Sequence, residues 1–152
     1  IISQMISTKA AKTIYSRVIE KIPVTPEGIR SISHEELRLC GMSLKKVEAL
    51  KEISRRILEG ELKLEELRSL SDKDLMKKLV ELPFVGPWTA EMLMIFSLER
   101  PHVLSFLDLG IRRGIERTYK KEATKAFVAE LKKAYHPYDT IASLYLWEKA
   151  SE

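Results

Sequence analysis

A single cysteine, Cys40, stands among the 152 residues, so no internal disulfide can form, and the chain carries no signal-peptide pattern. Both absences point to a reducing compartment, and a cytoplasmic location is expected. Long apolar runs are missing too. None approaches the roughly 20 residues that a membrane-crossing helix needs, so no membrane partner is expected. The three histidines, His34, His102 and His136, and the lone thiol fall at no spacing that metal sites use, and no metal is expected. Alternating β-branched runs joined by hairpin turns do not occur, which argues against a sheet. Internal repeats and low-complexity tracts are absent as well.

What is present reads as helix. The length and a mass of 17.5 kDa suit a single all-α domain over 1–152 with a core of ordinary size. The chain opens on Ile1-Ile2-Ser3-Gln4-Met5-Ile6, which reads as the middle of an element, and some N-terminal residues are expected to precede it. Apolar Met5, Ile14, Val18 and Ile22, interleaved with Lys9, Lys12 and Arg17, predict a helix that Pro23 stops, with a turn over Pro23 to Gly28. Ser33 with Glu36 is a capping box for a short helix ended by Gly41, and Ser43 opens a longer helix ended by Gly60. Ser71 with Asp74 repeats the capping pattern ahead of Leu75 to Glu81. From Trp88 to Leu98 only Thr89, Glu91 and Ser97 are polar, which places this segment at the centre of a helical bundle. Further helices are expected at about Leu109 to Tyr119, Ala123 to Tyr135 and Pro137 to Ala150, the last with proline in its first turn.

Two segments carry chemistry. Leu82-Pro83-Phe84-Val85-Gly86-Pro87-Trp88-Thr89-Ala90 is a turn punctuated by glycine and proline that opens a helix, and the backbone N–H groups of a helix start can hold a phosphate. Leu107-Asp108-Leu109-Gly110-Ile111-Arg112-Arg113 sets one carboxylate beside two arginines. A net charge of +4 and a pI near 9.1 permit a nucleic-acid partner without demanding one. Between Glu99 and Lys121 six basic residues face three acidic ones, which makes a candidate phosphate-facing patch around Arg112 and Arg113. Read singly, each feature has a plainer meaning. The turn joins two helices, Asp108 caps the helix that starts at Leu109, Trp88 packs a core, and the charges line a solvated face.

In combination, these residues resemble the helix-hairpin-helix DNA glycosylase superfamily, and within it the 3-methyladenine DNA glycosylase II branch. The likeness runs through Ile1 to Ser7, Gly41-Met42-Ser43 with Lys46, a hairpin at about 74–98, Arg100-Pro101 through Arg113, and Pro137-Tyr138 through Trp147. The resemblance implies that the hairpin, through Phe84, Val85, Gly86 and Thr89, binds the DNA backbone by its peptide N–H groups, often with a bound monovalent cation; no other cofactor is implied. Gln4 and Met5 align with the segment that enters the DNA when the target base is flipped out, with Met5 as the wedge. Trp88 stands where bifunctional members place a Schiff-base lysine, which implies a monofunctional hydrolase. Trp88, Met92 and Tyr138 would then line the base pocket, and Asp108 matches the catalytic aspartate.

The sequence departs from the family pattern at Phe84 for the hairpin's first glycine, Leu107 for a second acid and Ser105 for a proline. It departs again at His102 for an aspartate and Asp139 for an arginine. Four cysteines would be needed for the superfamily's iron–sulfur branch, so a cluster is excluded by count. The implied partner is double-stranded DNA carrying damaged, alkylated purines, and the implied state is a nucleoid-associated monomer. A glycosylase for an oxidised or deaminated base, and a catalytically silent DNA-binding module, remain open at this point.

Overall fold

A computed structural model describes all residues, 1–152, and is wholly helical between its turns. Ten helices follow one another: α1 Thr8–Ile19, α2 Pro26–Ser31, α3 His34–Leu39, α4 Leu44–Leu58, α5 Leu64–Ser69, α6 Asp72–Val80, α7 Pro87–Phe96, α8 Leu109–Tyr119, α9 Lys125–Tyr135 and α10 Asp139–Ser151. The chain divides into two compact units, Ile1–Val85 and Gly86–Glu152. No helix is long and apolar enough to cross a membrane.

In the first unit α2 and α3 lie against α4, around a core of Val18, Ile32, Leu37, Cys40, Met42 and Val47. The Ser33–Glu36 capping box forms in both directions, and Ser71 accepts from the Asp74 N–H at the start of α6. Three local readings change. Residues 1–6 form a turn, and α1 begins only at Thr8, where Ser7 caps it. The expected turn at Pro23 to Gly28 is cut short, since Thr25 caps α2 and Pro26 takes its first turn, a position where a missing N–H costs nothing. Helix α5 is additional; neither a side-chain cap nor a glycine stop marks it in the sequence.

In the second unit α8 packs on α10, with α9 alongside, over Leu104, Ile111, Ile115, Val128, Leu131 and Leu146. Helix α10 starts at Asp139 rather than Pro137, because Pro137 and Tyr138 belong to a tight turn in which the Tyr138 N–H donates to Tyr135 O at 2.7 Å. Helix α7 is not buried on most sides. Ala90, Met94 and Ile95 are covered, but Phe96 is 63% exposed and stacks on Trp147 at 5.6 Å, so its apolar character serves a surface as well as a core.

The α8–α10 contact depends on two glycines one turn apart. A Cβ at Gly114 would lie 2.0 Å from the backbone oxygen of Leu146, and one at Gly110 would lie 2.7 Å from Trp147 Cδ1. Only hydrogen fits at either place. Gly114→Ala is expected to destabilise the protein by about 3 kcal/mol, the upper end of overpacking costs, and to lower its thermal midpoint by roughly 6–12 °C. A midpoint equal to the parent's would show that the helices part at no cost.

Candidate active site

The turn before α8 ends in Asp108, whose backbone is extended and whose side chain caps the helix. Its Oδ1 accepts the Ile111 N–H at 2.8 Å and the Trp147 indole N–H at 2.8 Å. Its Oδ2 accepts the Trp88 indole N–H, also at 2.8 Å. A carboxylate offers about four acceptor positions, so three donors fix its rotamer and leave one position open on Oδ2. Asp108 is 7% exposed, and Trp88 and the Phe96–Trp147 stack place aromatic rings beside it. Asp108 is therefore both a helix cap and an oriented acid in an aromatic setting.

A second carboxyl lies close by on α7. Glu91 accepts the hydroxyl of Ser105, which is wholly buried. Burial pushes the Glu91 pKa above its ordinary 4.5 and the charge of Asp108 adds to this, while Ser105 and Lys132 act in the opposite sense. Arg112 lies half-buried with its guanidinium 5.1 Å from the Phe106 ring centroid, and Arg113 is exposed. Tyr138 is 64% exposed in the turn before α10, and Met92 is partly buried on α7.

In the first unit the structure joins another pair of expected residues. Gln4 Nε2 donates to Phe84 O at 3.1 Å. Lys46, a buried lysine on α4, donates from Nζ to Ile2 O at 3.0 Å and to Gln4 O at 2.6 Å, and burial lowers its pKa. Met5 adopts φ 56° and is 94% exposed, so its side chain stands out at the tip of this braced turn. Phe84 adopts φ 65°, the left-handed conformation for which glycine is ordinarily used. The turn thus keeps its shape without the glycine. Gly86 is the N-cap of α7, which has no side-chain cap, and Pro87 occupies its first turn.

The profile described as HhH-GPD superfamily base excision DNA repair protein matches residues 1–137. The chain belongs to that superfamily. Among HhH-GPD relatives, DNA-3-methyladenine glycosylase 1 of Schizosaccharomyces pombe is 36% identical over 154 residues, covering 96% of this chain and 67% of that protein. YfjP of Bacillus subtilis, whose name assigns a DNA-3-methyladenine glycosylase activity provisionally, is 36% identical over 124 residues, and the chain spans 43% of its length. A solved DNA-3-methyladenine glycosidase of Bacillus halodurans matches with a TM-score of 0.88 at 36% identity, over 98% of this chain and 71% of that one. S. pombe Mag1, solved with abasic DNA, matches with a TM-score of 0.87 at 35% identity, over 99% and 77%.

Against this HhH-GPD frame, the residues expected from the sequence fall into two groups. Asp108 and Trp88 are in direct contact in the second unit, where Met92, Tyr138, Arg112, Arg113, Thr89 and Gly86 also lie; Gln4, Met5, Phe84 and Val85 belong to the first. Trp147 was missed, since no motif singles out one tryptophan near the end of an apolar helix. The histidines show no ligand spacing along the sequence, but two of them meet in space. The fold brings His102 and His136 to Asp139, with their ligand atoms all within 4.8 Å of one another.

Trp147→Phe keeps a ring for Phe96 but removes a donor from a buried carboxylate, so a loss of about 1.5–3 kcal/mol in urea unfolding is expected; an unchanged midpoint would detach Trp147 from Asp108. Glu91 yields a pH signature. A carboxyl raised in the folded state gives full stability below its unfolded pKa and loses stability as pH rises through the folded value. Glu91→Gln should therefore melt higher than the parent at neutral pH and alike at about pH 4, as thermal denaturation across that range would reveal.

Proposed function

We propose that the chain is a monofunctional DNA glycosylase of base excision repair that hydrolyses the N-glycosidic bond of alkylated purines such as 3-methyladenine. The observation that carries this reading is the Asp108 carboxylate, held by Trp88, Trp147 and the Ile111 N–H with one acceptor position left on Oδ2. Departure of a base from deoxyribose builds positive charge on the sugar, and a fixed carboxylate stabilises that charge without reorganising. The open position on Oδ2 can orient the attacking water and take up its proton. An alkylated purine is already cationic and leaves without a strong general acid, which suits a site with one well-placed aspartate.

Trp88 supplies no amine, so the reading includes no Schiff base and no strand cleavage. Its ring is electron-rich and half-exposed, which suits stacking on a cationic base, with Met92 and Tyr138 as further walls. The S. pombe and B. halodurans relatives named for 3-methyladenine release support the choice of base. Double-stranded DNA is the partner in this reading, which the Mag1 structure with abasic DNA supports as far as DNA itself. Met5, outstanding at the tip of its turn, suits the gap left by a flipped base. The start of α7 at Gly86, which has no side-chain cap, suits a backbone phosphate, and exposed Arg113 a second one. Leu82 O and Phe84 O each accept one hydrogen bond and keep a lone pair, so the turn's carbonyls suit a monovalent cation. We read the enzyme as a monomer acting at the nucleoid.

The deciding experiment is release of free bases from methylated DNA, resolved chromatographically. The parent is expected to release 3-methyladenine, and Asp108→Asn to do so at least about 100-fold more slowly with duplex binding retained. Equal release by both would remove Asp108 from the chemistry. Release by neither, with binding intact, would favour another lesion or a silent module.

A further inference from the structure

We infer that His102, His136 and Asp139 form a binding site for one divalent transition-metal ion, zinc being the best match, at the start of α10. The inference is independent of the glycosylase chemistry. Both histidines aim Nδ1 at the same carboxylate oxygen, Asp139 Oδ2, from 3.5 Å for His102 and 3.3 Å for His136. A tetrahedral zinc ion with N and O ligands at roughly 2.0–2.1 Å sets those ligand atoms about 3.3 Å apart. The two measured separations already match that edge, and the third pair lies within 4.8 Å. Because His136 is exposed, a small rotation of its ring closes the set.

Two buried atoms point the same way. Asp139 is fully buried, yet its Oδ1 has no hydrogen-bond partner, and neither has the buried Nδ1 of His102. A buried carboxylate oxygen and a ring nitrogen without partners are costly in a finished structure; a metal on Asp139 Oδ2 takes up the His102 Nδ1, and binding through both carboxylate oxygens would take up Oδ1 as well. The two imidazole rings lie 4.7 Å apart at 35°, leaving their outer edges toward solvent as a route for the ion and a water as fourth ligand.

The neighbouring backbone is built to hold this arrangement. The Thr140 N–H donates to Pro101 O at 2.9 Å and its hydroxyl to Arg100 O at 2.6 Å, while the Val103 N–H donates back to Thr140 Oγ1 at 3.1 Å. Ser143 Oγ donates to Val103 O at 2.8 Å. These bonds lock the 100–103 loop, and so His102, against the first turn of α10, as outer partners orient the ligands of metal sites. His102 and Asp139 are also two of the positions at which the sequence departs from the family pattern, and the departures face each other.

Tag-free protein titrated with zinc by calorimetry, and with cobalt(II) by visible absorption, tests the site; magnesium, which prefers an all-oxygen shell, is the control. One zinc ion per chain is expected, with a raised thermal midpoint, a tetrahedral cobalt spectrum and no response to magnesium. His136→Gln and His102→Gln, both at partly or fully exposed side chains, should keep the parent's circular dichroism and weaken zinc binding at least about tenfold. Absence of stoichiometric zinc binding, or equal binding by the parent and both variants, would overturn the site.

Discussion

The close approach of α8 to α10 is the constraint on which the second compact unit, and the setting of Asp108, depends. Gly110 and Gly114 leave no side chain between the helices, so the Leu146 backbone and the Trp147 ring come down onto α8. That approach brings the Trp147 indole to Asp108 from one side, while Trp88 reaches it from α7. A cap that would otherwise satisfy one helical N–H becomes a carboxylate with a single orientation. The order of cause runs from the missing Cβ atoms to helix packing, then to the placing of a ring, and last to the chemistry.

The aromatic residues explain why so apolar a segment as α7 is partly open. Trp88 and Phe96 leave much of their surface uncovered, and each meets the acid or the ring that orients it. Rings around a fixed carboxylate lower the local dielectric and strengthen its field where positive charge would develop. They also offer faces on which a planar cation could lie. Hydrophobicity here serves a surface as well as a core.

Much of the fold was legible because helix starts and stops are local chemistry. Ser33, Ser71 and Asp108 cap as their spacing says, and α8 spans the residues expected of it. Helix α5 was not legible, since its ends rest on tertiary context and not on capping residues. Asp108 and Trp88 could be singled out because each lies in a contiguous motif of recognisable order. Trp147, Lys46 and the His102–His136–Asp139 group act across 37 to 44 residues of separation or around a turn, as with the Lys46 bond to Ile2. No local pattern encodes such meetings. Phe84 is the reverse case: the residue type argues against a left-handed turn, and the surrounding structure imposes one.

The buried ammonium of Lys46 bears on how this protein can change. Two carbonyls of the opening turn, Ile2 and Gln4, close on that one nitrogen, and the Gln4 side chain closes on Phe84. Both carbonyls are main-chain atoms, indifferent to the side chains they carry. Substitution at exposed Ser3 therefore leaves the turn, and the projection of Met5 from it, where Lys46 puts it, whereas the Ile2 side chain also packs on the core of the first unit. The geometry is inherited through a residue more than forty positions away, and the tip itself is left free to be tuned by selection.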